Sequence, residues 1–342
     1  MREIHTEGAA GLRDFYRHFA QTEASGVSPI YAQWAAATAD DDDVVELLLQ
    51  LPAQKRQPNL VFAAARVHGV PVGDWSAARA HLIEHWEAIS STIMQRRTQT
   101  NEAGRIAVLN LAFAQIAQQS LRPLALIEVG ASAGLGLYPD AWPIRYTRED
   151  GEAVRLAPGG PLDKAVELAC RVDGVEPPRM LPEVGWRAGI DLNPLDLTDD
   201  TDRQWLEALV WPGMEYRLER IAAGAKLIRR DPPRLFAGDL NEKLGEVLQQ
   251  VPAETTPVVF HSAVLAYLPA EQRQRFVDQV RSAGVSSAGV RWVSNEGLTV
   301  LPDIAAQLPD EDPDAEGFVL ALDGEPLART GPHGQYLRAL PG

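Results

Sequence analysis

The chain has 342 residues, 45% of them hydrophobic, and a formal charge of −15. That is enough apolar material for one large domain or two ordinary ones, and the acidity, with no basic stripe among aromatics, argues against a nucleic-acid partner. No apolar run reaches the roughly 18 residues of a membrane span, the acid-bearing N-terminal stretch does not read as a signal peptide, and a single cysteine, Cys170, excludes an internal disulfide, so the cytoplasm is the expected location.

In chain order, residues 1–120 read as a helical region. Leu12, Phe15, Tyr16 and Phe19 recur at helical spacing, as do Val44, Val45, Leu47, Leu48 and Leu51. The four carboxylates Asp40 to Asp43 read as a solvated helix N-terminus favoured by the helix dipole. A further helix is expected from Asp74 or Ser76 to Arg97, and another from Gly104 to Gln119, rich in Ile106, Leu109, Leu111, Phe113 and Ile116. After Pro123, short apolar runs alternate with amphipathic segments, the pattern of a parallel sheet with crossover helices. The runs are Leu124 to Val129, Ala188 to Leu192, Leu235 to Ala237, Val258 to Phe260 and Val290 to Val293. Helices are expected over Asn241 to Gln250 and Pro269 to Ala283. From Phe318 to Leu340, with an Asp323-Gly324 turn, the pattern is an antiparallel meander.

The expected fold is therefore α/β, a Rossmann-like doubly wound, mostly parallel sheet over residues 121–342 with antiparallel C-terminal strands, beside the helical region 1–120. Residues 137–186, rich in Pro and Gly, read as an insertion that leaves the sheet.

The strongest chemical signal is Glu128-Val129-Gly130-Ala131-Ser132-Ala133-Gly134. A buried strand ends in a carboxylate, and a loop of small residues then lets backbone donors approach a ligand closely. Such a loop also serves simply to pack a tight turn. Glu128 adds weight to a ligand, since a buried carboxylate needs partners. Gly189-Ile190-Asp191 repeats the pattern; Asp191 can accept both hydroxyls of a ribose, or it can close the strand as an Asx-turn. Gly238-Asp239 has the same shape, and the run from Val258 breaks into polar residues at His261-Ser262.

In this order the motifs resemble the class I methyltransferases that use S-adenosylmethionine, over about Leu124 to Leu340. The resemblance implies cofactor contacts from Glu128, Gly130, Ser132, Gly134 and Asp191, with Asp239 near the adenine and a small-molecule substrate. It places His261 beside the methyl pocket, as proton acceptor or as lining. Arg105, in the polar run Gln99 to Arg105, can pair with the cofactor's carboxylate, with Asn101 and Glu102 nearby. Ser132 stands where many members have glycine, and the two acids are 63 residues apart instead of about 20. The whole chain also resembles a bacterial family of unknown function, DUF2332, which implies this core and no particular reaction.

Three other readings stand beside it. Gly130-Ala131-Ser132-Ala133-Gly134 fits G-x-S-x-G, the nucleophile elbow of serine α/β-hydrolases, with His333 as the histidine, although that leaves Glu128 and Asp191 without a task. His81-Leu82-Ile83-Glu84-His85 fits an inverted zincin motif, on a stretch whose Trp75, Leu82, Trp86 and Ile89 suggest packing; no metal is expected. A methyltransferase-like domain that binds a ligand without catalysis is the third. The expected activity is methyl transfer from S-adenosylmethionine to a small molecule, with the helical region and the insertion selecting the substrate; no nucleic acid or membrane partner is expected, and oligomeric state is not legible.

Overall fold

The structure, a computed structural model, describes residues 8–159, 166–285, 289–308 and 317–340. Residues 160–165 of the expected insertion thus lie outside the described residues. The chain forms two compact units, Met1–Thr100 with Asp196–Ile221, and Asn101–Leu195 with Ala222–Gly342. In the first unit the leading helices are α1 (Gly8–His18), α2 (Pro29–Asp40), α3 (Asp42–Leu49), α4 (Pro58–Val67), α5 (Trp75–Glu84) and α6 (Trp86–Gln95). The helix expected to run unbroken to Arg97 is in fact two. His85 takes a non-helical backbone between them, capping α5 through its N–H on the His81 and Ile83 carbonyls.

The second unit begins with α7 (Arg105–Gln119) and β1 (Leu124–Val129), followed by β2 (Ile144–Arg148), β3 (Ala153–Leu156), β4 (Leu168–Asp173) and β5 (Val184–Asp191). The chain then visits the first unit through α8 (Asp200–Ala208) and returns along α9 (Glu215–Arg230). It continues through β6 (Arg234–Ala237), α10 (Leu240–Leu248), β7 (Thr256–Ser262), α11 (Ala270–Val285), β8 (Arg291–Gly297), α12 (Pro302–Ala305), β9 (Phe318–Leu322), β10 (Glu325–Thr330) and β11 (Tyr336–Arg338).

These strands make one mostly parallel sheet in the order β3-β2-β4-β11-β10-β9-β8-β7-β1-β5-β6, so the protein is mixed α/β. From β6 to β8 all neighbours are parallel; β9 then pairs antiparallel with β8, and β10 and β11 continue antiparallel. β1 is central, and its Leu124 to Ile127 are fully buried, as a parallel strand covered on both faces requires. The hairpin between β9 and β10 turns at Asp323 (φ 55°) and Gly324 (φ 88°), the paired left-handed residues that match the sheet's twist.

The residues expected to leave the sheet do so only briefly. β2, β3 and β4 rejoin the same sheet at its far end, where β4 pairs in parallel with β11, Leu337 opposite Val172. Curvature makes this possible. α7 packs on β4, β8 and β9, its Ala107 carbonyl accepts from the Tyr146 hydroxyl of β2 at 2.7 Å, and Phe113 meets Phe260 of β7 edge-on at 5.2 Å. Laid flat, β2 to β7 would span roughly 29 Å at the usual strand spacing, far wider than a helix of ~10 Å. The sheet therefore curls around α7, which is why that helix is buried without a break from Ile106 to Ala114. Its fully buried Ile106, Phe113 and Ile116 stabilise the curl by ~1.5–3 kcal/mol each.

On the sheet's opposite face, Ala125, Ile127, Val129, Val259, Phe276, Val277 and Trp292 form one core cluster with Leu244 and Val247 of α10. In the first unit the core is aromatic, with Tyr31, Trp34 and Phe62 meeting at 5.1–5.8 Å. The segment carrying α8 is tied in by Arg96 on Asp202 at 2.7 Å, by Arg66 on the Ala208 and Val210 carbonyls, and by the Trp205 indole on the Arg97 carbonyl. Asp41 to Asp43 start α3, as their sequence suggests, whereas Asp40 ends α2, and all four have arginine partners. Asp41 caps α3 by accepting from the Val44 N–H at 3.1 Å, Arg79 reaches both Asp41 and Asp43, Arg13 holds Asp42, and Arg17 holds Asp40. No helix among the described residues is long and apolar enough to cross a membrane.

Candidate functional site

In the parallel part of the sheet the chain order reverses at β1. The next strands in sequence on that side, β5 and β6, lie to one flank and β7 and β8 to the other. Crevices at the carboxyl ends of strands form at such a point. The small-residue loop leaves β1 there. Gly130 and Gly134 have φ of 72° and 75°, the left-handed region that glycine enters without penalty. A Cβ on Gly130 would lie 2.4 Å from Val264 Cγ2, so the loop after β7 rests directly on it. Ser132, which replaces a glycine of the resembled family, adopts the left-handed form itself at φ 52°, at a cost of about 1 kcal/mol for an L-residue.

The loop is held by its neighbours. The Ser132 N–H donates to Asp191 Oδ2 at 2.8 Å, and the Leu195 N–H donates to the Ser132 carbonyl at 3.1 Å. Asp191 Oδ1 accepts from the Asn193 N–H at 2.8 Å, the Asx-turn that closes β5. From the other side Asn101 brackets the loop, donating through Nδ2 to the Ala131 carbonyl at 2.7 Å and accepting at Oδ1 from the Leu135 N–H at 3.1 Å. Asp191 and Asn101 thus shape the turn with groups that a ligand would otherwise use.

Glu128 differs. The residue as a whole is half-buried, yet its Oε2 is shut off and has no hydrogen-bond partner among the described residues. Gly136 lies over it: a Cβ there would stand 2.5 Å from Glu128 Oε1. Burial pushes this carboxyl well above the usual carboxylate range; the positive charge of Arg105 opposes the shift and the negative charge of Asp191 adds to it. Arg105, at the start of α7, donates to the Pro332 carbonyl at 2.8 Å and the Ser262 carbonyl at 2.9 Å. Glu102 turns back to accept from the Gly104 N–H at 2.8 Å. Asn101, Arg105, Glu128, the loop and Asp191 therefore gather at one end of the sheet. Asp239 follows β6 at the same end, where its carboxylate caps α10 by accepting from the Asn241 N–H at 2.8 Å, a structural task that uses one of its oxygens.

His261 is fully buried and faces α11, across from the loop's polar groups, with its ring edge-on to Phe276. Trp292 Nε1–H donates to its Nε2 at 3.0 Å, and its Nδ1 lies 2.7 Å from Glu296 Oε1. An indole N–H can only donate, so Nε2 accepts and Nδ1 carries the proton. Neither nitrogen is left for a substrate, which removes His261 as a proton acceptor in methyl transfer. The sequence reading missed Glu296, because the apolar run was taken to stop at Val293. It also missed the buried set on the face toward α7, where Asn295 donates to Ser262 Oγ at 2.8 Å and accepts from Thr330 Oγ1 at 2.6 Å. Polar residues directly following an apolar run, as Glu128 follows Ile127, were the available signal.

The competing motifs fare unevenly. Ser132 Oγ is buried and has no partner among the described residues, so no imidazole activates it. His81 and His85 stack at 4.0 Å, with His81 Nε2 on the His68 carbonyl and His85 Nδ1 on the His81 carbonyl. That geometry engages one nitrogen of each ring, and no group of three metal-binding side chains forms among the described residues. A surface groove of about 910 Å³ runs between α10 and α11 past Leu244, Leu248 and Gln279, and none of the strand-end groups lines it.

A curled, mostly parallel α/β sheet with a glycine-bearing turn at its chain reversal defines the class. The chain belongs to the family described as "Uncharacterized protein conserved in bacteria (DUF2332)", which matches over residues 13–338. No curated protein and no solved structure matches it.

Proposed function

We propose that this chain is an S-adenosylmethionine-dependent methyltransferase acting on a small molecule, with a Rossmann-like doubly wound core. The observation that carries the reading is a pair of enclosed polar atoms without partners, Glu128 Oε2 and Ser132 Oγ, beside the turn where the chain order reverses. Unmet buried polar groups are rare in folded proteins unless a ligand or water meets them. The five parallel strands support the same reading, since in chain order they lie third, second, first, fourth, fifth across the sheet. Asp191 at the tip of β5 accepts from the Ser132 N–H and the Asn193 N–H, which sets the turn beside which the cofactor would lie. Methyl transfer from a sulfonium is an in-line displacement that positioning and exclusion of water can drive without a dedicated base, consistent with the occupied His261.

Titration calorimetry with S-adenosylmethionine and S-adenosylhomocysteine tests this. Saturable heat is the expected result; none at about 1 mM ligand, where even a site worth about −4 kcal/mol registers, overturns it. Binding without turnover over a panel of small nucleophiles would leave a ligand-binding protein. The left-handed backbone at Ser132 favours one other reading, the serine hydrolase, since a nucleophile elbow is strained in this way. A fluorophosphonate probe that labels Ser132 would replace the methyltransferase reading with that one.

A further inference from the structure

We propose that Glu296 is a positioning residue, holding the loop after β7 so that Val264 forms a wall over Gly130; its value to the ligand rests on the methyltransferase reading. Glu296 lies on β8, is almost fully buried, and gathers three donors on a single oxygen, Oε1. They are His261 Nδ1 at 2.7 Å, the Val264 N–H at 2.9 Å and the Leu265 N–H at 3.1 Å. The loop it receives is strained. Ala263 has φ 59°, a region that costs an L-residue energy, and its N–H donates to the Asn295 carbonyl at 3.1 Å. Adjacent residues of β8 thus grip adjacent residues of the loop, one through backbone and one through side chain. What they fix in place is the Val264 side chain, whose Cγ2 would stand 2.4 Å from a Cβ on Gly130.

The chemistry of the partners explains why a carboxylate stands here. Trp292 can only donate, so it sets the His261 tautomer and aims the Nδ1–H at Glu296. A carboxylate oxygen is the stronger acceptor for such a cluster of donors, since charge-assisted hydrogen bonds are about twice as strong as neutral ones. Trp292, His261 and Glu296 form a chain that ends on two loop amides, and hydrogen bonds in such a chain polarise one another. The backbone of Val264 is thereby set from the face toward α11, while its side chain acts on the ligand turn of β1.

Amide hydrogen exchange by NMR on the full chain, with a parallel S-adenosylhomocysteine titration, tests this in Glu296→Gln and Glu296→Leu. Glu296→Leu should speed exchange at Val264 and Leu265 by about a hundredfold, and Glu296→Gln, which keeps an acceptor, by about tenfold. Amides of β1 and β5 should keep their protection, which separates a local effect from general loosening. Affinity should fall in the same order, by about tenfold in Glu296→Leu. Unchanged exchange at Val264 and Leu265 in both variants overturns the positioning role, and so does accelerated exchange with undiminished affinity. Should Glu296→Leu fail to fold, Glu296→Gln decides alone by the same readouts. A wild-type chain that binds no S-adenosylhomocysteine defeats the methyltransferase reading, and the exchange data then decide the role of Glu296 in the loop.

Discussion

β1 and β5 are adjacent parallel strands, Glu128 beside Gly189 in register, and each ends in a carboxylate followed by a turn. The two carboxylates are used in opposite ways. Asp191 is satisfied by the backbone, accepting from Ser132 and Asn193, and it holds the turn of the neighbouring strand. Glu128 is enclosed under Gly136 with an oxygen that meets nothing among the described residues. The same sequence pattern thus yields one group bound into the scaffold and one with an oxygen unmet among the described residues. A strand-terminal acid becomes a candidate for chemistry only when the local backbone has not already claimed it.

The largest effect should come from the turn on which both acids depend. Gly130→Ala forces an L-residue into φ 72° and drives its Cβ into Val264, and strain plus overpacking should cost about 3 kcal/mol. Denaturant unfolding would read this directly, and a loss below about 0.5 kcal/mol would show that the turn relaxes freely. Asp191→Ala comes next. It leaves two N–H groups short of an acceptor and should cost about 2 kcal/mol with faster exchange at Ser132, whereas a neutral result would mean the turn does not need it. Glu128→Gln is the smallest and the sharpest. A carboxyl whose folded pKa is raised holds its proton more tightly in the native state. Its contribution is therefore fully present below the unfolded value and declines as pH rises from about the ordinary 4.5 toward the raised one. The stability of Glu128→Gln relative to wild type should rise across that window and then level off; a difference flat with pH would mean that the enclosed carboxyl is not strained.

How much of this was legible in the sequence depended on whether a segment's partners were local. β1 stands where its apolar run predicts, and the Asp323-Gly324 turn is a hairpin because both residues can adopt left-handed backbone without help from elsewhere. β4 was hidden although Leu168, Cys170 and Val172 alternate with Ala169, Arg171 and Asp173. Its burial comes from α7 and β11, distant in sequence, and the surrounding Pro and Gly residues masked the period. The polar end of β8 was missed for a related reason. Asn295 and Glu296 look like loop residues until Ser262, Thr330 and the Val264 amide arrive to meet them. His261 was over-read in the opposite sense, since a histidine at a strand end gives no sign of the tryptophan that occupies it. Asp239 shows how ambiguous such a motif is, because Asp is also among the preferred residues for capping a helix N-terminus, its role at the start of α10.

Among the described residues, the wing made of β2, β3 and β4 joins the remaining strands only through β11, three residues long and about 165 positions further along the chain. A ribosome will have finished those three strands long before Tyr336 to Arg338 emerge. Until then their open edge has no native neighbour, and open edges invite mispairing. Synthesis of this protein thus includes an interval in which a three-stranded wing waits for its clasp, and any chain halted before about residue 338 leaves that edge bare.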